Sequence, residues 1–155
     1  MQCYLVRHGE AKSEREDPAR PLSDRGREEV TRVARHMGTM GLQIAEIRHS
    51  NKLRARQTAE ILAEHLSPTP ALHEVEGLAP MDDPSKAQAT IEASRESIML
   101  VGHLPHLSHL ASALLRGDPE PEIVRFKAGA IACLARVDGG FRLEWVLTPD
   151  LADTH

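Results

Sequence analysis

An arginine and a histidine stand side by side where an apolar segment ends, in the stretch LVRHGEA (residues 5–11). A neutral histidine can act as a nucleophile, because one ring nitrogen is free to attack while a hydrogen bond holds the other. An arginine guanidinium can bind two phosphoryl oxygens at once. Arg7 and His8 are therefore candidates for phosphoryl chemistry, with His8 as the nucleophile.

A second histidine and a second arginine complete this set of candidates. His103 follows the apolar segment IMLVG, and Arg54 falls in the first turn of a predicted helix, where free backbone N–H groups and the helix dipole favour an anion. The arginines would help to keep His8 unprotonated in the empty site, and His103 would become protonated once phosphate is bound. Since these cations can neutralise the phosphoryl oxygens, we expect no metal and no other cofactor.

Short apolar segments alternate with helical patterns along the chain. The predicted strands cover 2–6, 45–49, 71–74, 97–102 and the two segments on either side of the DGG turn at 138–140. The predicted helices cover 23–41, 51–66, 84–94 and 104–117, with Ser23 and Asn51 as N-caps and Pro105 in the first turn of the last helix.

This alternation predicts an α/β fold. We expect a three-layer α/β/α sandwich whose sheet is mostly parallel, with an antiparallel hairpin at the C-terminal end. In such sheets ligands bind beyond the carboxyl ends of the strands. Because Arg7, His8 and His103 all follow buried strands, the fold could bring them together with Arg54 around one dianionic phosphoryl group.

Length and composition narrow the classes of protein. The 155 residues suggest a single domain over 1–149 and a loose tail at 150–155. A net charge of -4 gives no electrostatic case for binding nucleic acid or an anionic membrane. The N-terminus lacks the apolar segment of a signal peptide, so we expect a cytoplasmic protein. Cys3 and Cys133 lie in apolar segments, which favours two reduced, buried thiols over a disulfide or metal site.

Four segments resemble, in the correct order, the histidine phosphatase superfamily. They are LVRHGEA at 5–11, RPLSDRGREE at 20–29, SNKLRARQTAEIL at 50–62 and MLVGHLPHLSHLA at 99–111. The resemblance covers nearly the whole chain, and the short length and the GHLP form are similar to the small SixA-type phosphohistidine phosphatase branch. It implies that His8 is the phosphorylated nucleophile and that Arg7, Arg54 and His103 form the phosphate pocket. It also implies a phosphohistidine substrate on a protein, such as a bacterial signalling relay domain.

One feature of the family has no clear counterpart. Mutase-like members and many phosphoester-hydrolysing members use a glutamate to protonate the leaving group. Glu74 and Glu76 are near the expected region, but HEVEGLAPMDDP resembles the proline-containing loop of the small branch instead. We interpret both as solvated carboxylates. The alternatives are a small-molecule phosphomonoester phosphatase or mutase, or a non-catalytic module that binds phosphorylated partners, although binding alone does not require the His8 nucleophile.

The remaining conspicuous residues have simpler interpretations. His103, His106 and His109 are spaced by three, whereas helical zinc-binding pairs are spaced by four. We therefore expect His106 and His109 at the surface or at the rim of the site. Glu10 is expected to face solvent, and KSEREDPAR at 12–20 is expected to be a mobile loop that borders the site.

Overall fold

The computed structural model describes residues 1–152, and its helices and strands follow the predicted order. The strands are β1 (Gln2–Arg7), β2 (Glu46–His49), β3 (Ala71–Glu74), β4 (Ile98–Gly102), β5 (Ile131–Val137) and β6 (Gly140–Leu147). The helices are α1 (Asp24–Gly38), α2 (Leu53–His65), α3 (Pro84–Ala93) and α4 (His106–Arg116).

The six strands form one sheet in the order β3-β2-β4-β1-β5-β6. The first four strands in this order are parallel, whereas β5 runs antiparallel to both of its neighbours, β1 and β6. This arrangement confirms the predicted α/β fold with its C-terminal antiparallel hairpin. The central pair is β1 and β4, and their register places Arg7 opposite Gly102. Residues 8 and 103 therefore leave the sheet side by side.

Alternating strand residues fill two separate cores, one on each face of the sheet. Tyr4, Val6 and Met99 pack with residues of α1 and α2 on one face. Leu5 and Leu100 pack with residues of α3 and α4 on the other face. This is the three-layer arrangement expected of a sheet covered on both sides. The two cysteines belong to opposite faces, and both are free and buried.

The ends of two helices differ from the prediction. Helix α2 begins at Leu53 with Lys52 in the N-cap position, so Asn51 does not cap it. The Ser50 hydroxyl accepts the Lys52 N–H instead, at 3.3 Å. Pro105 precedes α4 as its N-cap and is not part of its first turn. Ser23 caps α1 as predicted, because its hydroxyl accepts the Gly26 N–H at 3.0 Å.

Two segments that were expected to be loose make defined contacts. In the 12–20 loop, the Asp17 N–H donates to the Ser13 carbonyl at 3.0 Å. Near the C-terminal end, the Ala152 N–H donates to the Thr148 carbonyl at 3.1 Å, and the Ala152 side chain is buried. Ala152 thus packs against the protein, Asp150 and Leu151 are exposed, and 153–155 lie outside the described residues. Within 1–152, no helix has the length and apolar character needed to cross a membrane.

Candidate active site

His8 lies immediately after β1, and its backbone is fixed on both sides. The His8 N–H donates to the Gly102 carbonyl of β4 at 3.1 Å, and the His8 carbonyl accepts the Gly129 N–H at 3.2 Å. Its ring nitrogen Nδ1 lies 2.7 Å from the carbonyl oxygen of Gly9. Because a carbonyl oxygen can only accept, Nδ1 carries the hydrogen, and the neutral ring leaves Nε2 with a free lone pair. His8 therefore has the tautomer that a nucleophile needs.

Gly9 is required by the packing of the strand end against α1. A Cβ atom at this position would lie 2.5 Å from Cγ2 of Val30 and 3.2 Å from the carbonyl oxygen of Gly26. A Cβ at Gly26 would in turn collide with the backbone of Glu10. The glycine after His8 thus lets the chain turn closely over α1, and a larger residue would move His8.

His103 lies immediately after β4 and faces the His8 ring. The two ring centroids are 4.8 Å apart, with 58° between the ring planes. The His103 side chain is only 2% exposed. Its Nε2 lies 2.6 Å from the hydroxyl oxygen of Ser50, whereas its Nδ1 is buried without a hydrogen-bond partner among residues 1–152. This buried nitrogen is thus a polar atom that the described residues leave unsatisfied.

The two arginines expected at the site are held by the backbone and by α2. Arg7 donates from Nη1 to the carbonyl oxygen of Phe126 at 2.8 Å. Arg54 is the second residue of α2, and its buried Nε has no hydrogen-bond partner among the described residues. The backbone N–H groups of Leu53 and Arg54, the first two residues of α2, have no hydrogen-bond partner among the described residues and are free to face an anion.

Burial is the main reason that His8 is neutral. It lowers the pKa of His8 to about 4, against the opposing effect of the hydrogen bond to Gly9. The positive charges of Arg54, Arg7 and Arg20 lower the pKa further. The arginines therefore contribute to keeping the nucleophile unprotonated, as expected, but desolvation of the ring contributes more.

His103 is neutral in the empty site for the same reason. Burial lowers its pKa to about 3, and the neighbouring His8, Arg54 and Lys52 add to the effect. An anion between the rings would oppose these positive charges and favour protonation of His103. The site thus gathers cations that are not balanced by a carboxylate: within residues 1–152, neither Arg7 nor Arg54 forms an ion pair.

Comparison with known proteins agrees with this geometry. The sequence model of the histidine phosphatase superfamily (branch 1) matches residues 3–83, just over half of the chain. An uncharacterised protein of Picosynechococcus is 37% identical over an alignment of 139 residues, which covers 84% of this chain and 83% of that protein. The chain belongs to the histidine phosphatase superfamily.

This histidine phosphatase is similar to SixA over nearly its whole length. The phosphohistidine phosphatase SixA of Escherichia coli is 27% identical over 155 residues, covering 96% of this chain and 94% of SixA. The solved structure of the protein histidine phosphatase SixA complexed with tungstate superimposes with a TM-score of 0.86, at 27% identity, over 97% of this chain and 98% of that one. The chain thus falls in the SixA-type branch and is a phosphatase.

Three residues of this histidine phosphatase that border the site were not identified from the sequence. Ser50 contacts His103, and Thr58 joins two site elements, because its hydroxyl accepts the Gly9 N–H at 3.1 Å and donates to the Arg54 carbonyl at 2.8 Å. Arg20 is close enough to lower the pKa of His8. Two of the segments that resemble the family begin with one of these residues: RPLSDRGREE begins with Arg20, and SNKLRARQTAEIL begins with Ser50. Their place in these segments could have identified both residues from the sequence.

Other histidines and carboxylates lie away from this centre. The expected surface or rim position is wrong for His106, which is fully buried at the start of α4, whereas His109 is partly exposed. Glu10 is exposed, and its carboxylate accepts the Ser23 hydroxyl at 2.9 Å. Among residues 1–152, no three His, Cys, Asp or Glu side chains are arranged to hold a metal ion.

A cleft of about 730 Å³ adjoins the catalytic centre on the side of Ser50. Its walls include Ser50, Asn51, Glu74, Glu76 and Lys86. Glu74 and Glu76 are both exposed, and Glu76 lies 3.5 Å from the ammonium group of Lys86. The cleft meets the site through Ser50, whose hydroxyl oxygen contacts His103.

Proposed function

We propose that this histidine phosphatase hydrolyses phosphohistidine on a protein, such as a signalling relay domain, through a phosphohistidine intermediate on His8. The observation that carries the proposal is the His8 ring, with Nδ1 bound to the Gly9 carbonyl and the other nitrogen free beside His103. The likeness to SixA, whose name is that of a phosphohistidine phosphatase, supports the same substrate class.

In the first step, Arg7, Arg54 and His103 bind the phosphoryl oxygens, and Nε2 of His8 attacks phosphorus. The P–N bond of the substrate breaks, and its electron pair goes to the leaving imidazole nitrogen, which takes a proton from solvent. In the second step, water attacks the phosphorus of phosphorylated His8 and loses a proton. The P–N bond to His8 then breaks and releases inorganic phosphate. Positioning and charge neutralisation contribute most of the rate enhancement in such transfers.

The leaving group explains why P–N cleavage suits this site. Imidazole has a conjugate acid with a reference pKa of about 6.5, so it departs without a strong dedicated acid. An alkoxide has a much weaker conjugate acid, comparable with water at about 15.7, and needs a positioned proton donor. Glu74 and Glu76, the carboxylates in the neighbouring cleft, are both exposed and are not enclosed beside the His8 ring.

The layout of the helices supports a protein substrate. All four helices described within residues 1–152 pack on the faces of the sheet, so none of them covers the strand ends that carry His8 and His103. A phosphorylated side chain on a protein surface can therefore reach the nucleophile.

Side-by-side kinetics test the proposal. We expect hydrolysis of a phosphohistidine protein and of aryl phosphates, whose leaving groups are good, but slow turnover of alkyl phosphates such as phosphoglycerate. Added chelator should leave these rates unchanged, since no step calls for a metal. A kcat/KM for the alkyl phosphate that equals or exceeds that for the phosphohistidine protein would overturn the proposed substrate.

A phosphomonoester phosphatase or mutase is the second candidate, and the position of Glu74 favours it. Glu74 ends β3 opposite His49 and lines the cleft beside Ser50, where it could protonate a leaving group. We propose to substitute Glu74 and Glu76 separately with glutamine. A large loss confined to alkyl esters in Glu74→Gln would support this candidate, with Glu76→Gln as the matched control in the same cleft.

A further inference from the structure

The loop between β1 and α1 closes directly beside the catalytic centre. Its two ends pair at Ala11 and Leu22, and the Lys12 N–H donates to the Pro21 carbonyl at 2.8 Å. The Leu22 N–H donates to Oε1 of Gln57 at 2.7 Å. Gln57 lies one turn after Arg54 on α2, so the base of the loop is attached to the helix that carries Arg54. The loop therefore has a fixed position relative to both His8 and Arg54.

Arg20, near the end of this loop, has an unusual backbone conformation. It is the single non-glycine residue within 1–152 that has a positive φ, at 48°. Residues with a Cβ are disfavoured in this left-handed region, which Gly, Asn and Asp occupy more readily. The Arg20 N–H donates to the Asp17 carbonyl at 2.9 Å, which helps to hold the strained turn. The backbone of this turn therefore gives no reason for an arginine at residue 20.

The guanidinium of Arg20 is fixed at one end and unpaired at the other. Its Nε donates to the Lys12 carbonyl at 3.1 Å. Its two terminal nitrogens have no hydrogen-bond or ion-pair partner among residues 1–152, although the side chain is partly buried. A guanidinium held in this way presents its remaining N–H groups in a fixed direction and is suited to a planar or tetrahedral oxyanion.

The surroundings of Arg20 are positively charged. Its charge lowers the pKa of His8 and of Arg54, and Arg7 acts on His8 in the same way. Within the described residues, Arg7, Arg20 and Arg54 have no carboxylate partner. Three guanidinium groups that all act on His8 and have no carboxylate partner repel each other, and a dianion compensates them better than a monoanion does.

We propose that Arg20 is a third phosphate-binding arginine, which donates through its terminal nitrogens to an oxygen of the phosphoryl group and favours dianionic over monoanionic ligands. The proposal rests on the proposed function, because it adds a residue to the phosphate pocket of the same site. Its consequence is a pocket built from two sides: Arg54 from the start of α2, and Arg20 from the loop between β1 and α1.

Calorimetric titration with inorganic phosphate, the product of the reaction, tests the role of Arg20 directly. We expect Arg20→Ala and Arg20→Asn to weaken phosphate binding by about ten- to hundredfold, as the loss of a charge-assisted hydrogen bond does. The Arg20→Lys variant should lose less affinity for phosphate, because it keeps the positive charge although it lacks the paired N–H donors of a guanidinium group. The matched control is Arg15→Ala, an exposed arginine of the same loop, whose Kd should stay within about twofold of the unaltered protein.

The Asn variant separates binding from folding, since asparagine tolerates the left-handed backbone at residue 20. A Kd within twofold of the unaltered protein, in an Arg20→Asn protein with an unchanged melting temperature, would overturn the proposal. If neither the Ala nor the Asn variant folds, the guanidinium NMR signal of Arg20 in the unaltered protein decides: it should shift when phosphate is added, and an unshifted signal would overturn the proposal.

Phosphate binding also separates this proposal from the proposed function. If phosphohistidine protein is not hydrolysed while phosphate binding depends on Arg20, the proposed substrate is wrong and the role of Arg20 stands. If phosphohistidine protein is hydrolysed and phosphate binding does not depend on Arg20, the proposed substrate stands and the role of Arg20 is wrong. Titration with a singly charged anion such as nitrate checks the selectivity: its weaker binding should be changed less by Arg20→Asn than that of phosphate.

Discussion

Ser50 Oγ and His103 Nε2 lie 2.6 Å apart, and both side chains are buried. The same hydroxyl oxygen accepts the Lys52 N–H at 3.3 Å, so its own hydrogen can be donated to the His103 ring. This pair connects the end of β2 to the residue that follows β4. It holds the His103 ring in place, whereas the other ring nitrogen has no partner among residues 1–152.

We expect Ser50→Ala to lower kcat/KM by about tenfold or more, because the buried Nε2 of His103 loses its partner and the ring loses its orientation. Ser50→Thr, which keeps the hydroxyl, should retain more activity than Ser50→Ala. Steady-state kinetics on an aryl phosphate measure the effect. Asn51→Ala, an exposed neighbour in the same cleft, is the control, and equal activity of the Ser50→Ala and Asn51→Ala proteins would contradict the role assigned to Ser50.

If His8 attacks phosphorus, rapid quenching during turnover should trap a phosphate on His8 that is labile in acid and stable in base. The reason is that the P–N bond breaks readily once the imidazole is protonated. The His8→Ala protein should still bind phosphate but should not turn over. Mass spectrometry of the quenched protein locates the phosphate. Full activity in the His8→Ala protein would eliminate the mechanism.

Substitution of either pocket arginine should greatly reduce catalytic activity. We expect Arg7→Ala and Arg54→Ala each to cost about 2.7–4 kcal/mol of transition-state stabilisation, which is typical of losing one preorganised donor, and His103→Ala to be comparably damaging. The measurement is kcat/KM for each variant. Arg56→Ala serves as the control, since Arg56 lies on the exposed side of α2 and pairs with Glu60 at 3.7 Å. Losses no larger than that of Arg56→Ala would refute the phosphate pocket.

His106 should matter for stability, in contrast to His109. The His106 ring is fully buried. It lies near the Gly77 backbone, but neither ring nitrogen forms a hydrogen bond of ordinary geometry within residues 1–152. Truncating a large buried side chain typically costs about 2–5 kcal/mol, so His106→Ala should lower the free energy of unfolding on that scale. His109→Ala should change it by no more than about 0.5 kcal/mol. Urea denaturation measures both, and equal stabilities would contradict this assignment.

Acid should destabilise the empty protein through His8 and His103. Their pKa values in the folded protein, about 4 for His8 and about 3 for His103, are below the ordinary value of 6.5. The unfolded chain therefore binds more protons than the folded protein between pH 6.5 and these lower values. Stability is therefore fully present above pH 6.5 and falls as the pH drops towards 4, by up to about 1.4 kcal/mol per pH unit for each histidine. Denaturation curves at several pH values measure the slope.

Added phosphate provides the control for this pH dependence. A bound anion favours protonation of His103, so the folded protein should take up a proton and the slope should decrease. The His103→Ala protein should lack one histidine's share of the slope. A free energy of unfolding that stays constant between pH 7 and pH 4 in the unaltered protein would contradict the lowered pKa values of the two rings.

The sequence by itself determined the order of strands and helices, because the period of apolar residues and the capping of α1 by Ser23 are local properties. It also placed His8 and His103 at strand ends, because the apolar segments that precede them are local features of the sequence. The cap of α2 could not be predicted in this way. Asn51 is a good N-cap in isolation, but Ser50 is engaged with His103, and the helix begins one residue later, after Lys52.

Only the tertiary structure decided which of these strand ends meet. The pairing of β1 with β4, which are separated by two other strands in the chain, brings the His8 and His103 rings to 4.8 Å, and no local pattern specifies such a pairing. The burial of His106 and the position of Arg20 could not be predicted from local sequence either, because each depends on contacts with residues that are distant in the chain. Local sequence specifies the elements, whereas long-range packing selects their neighbours, and the chemistry of this site depends on those neighbours.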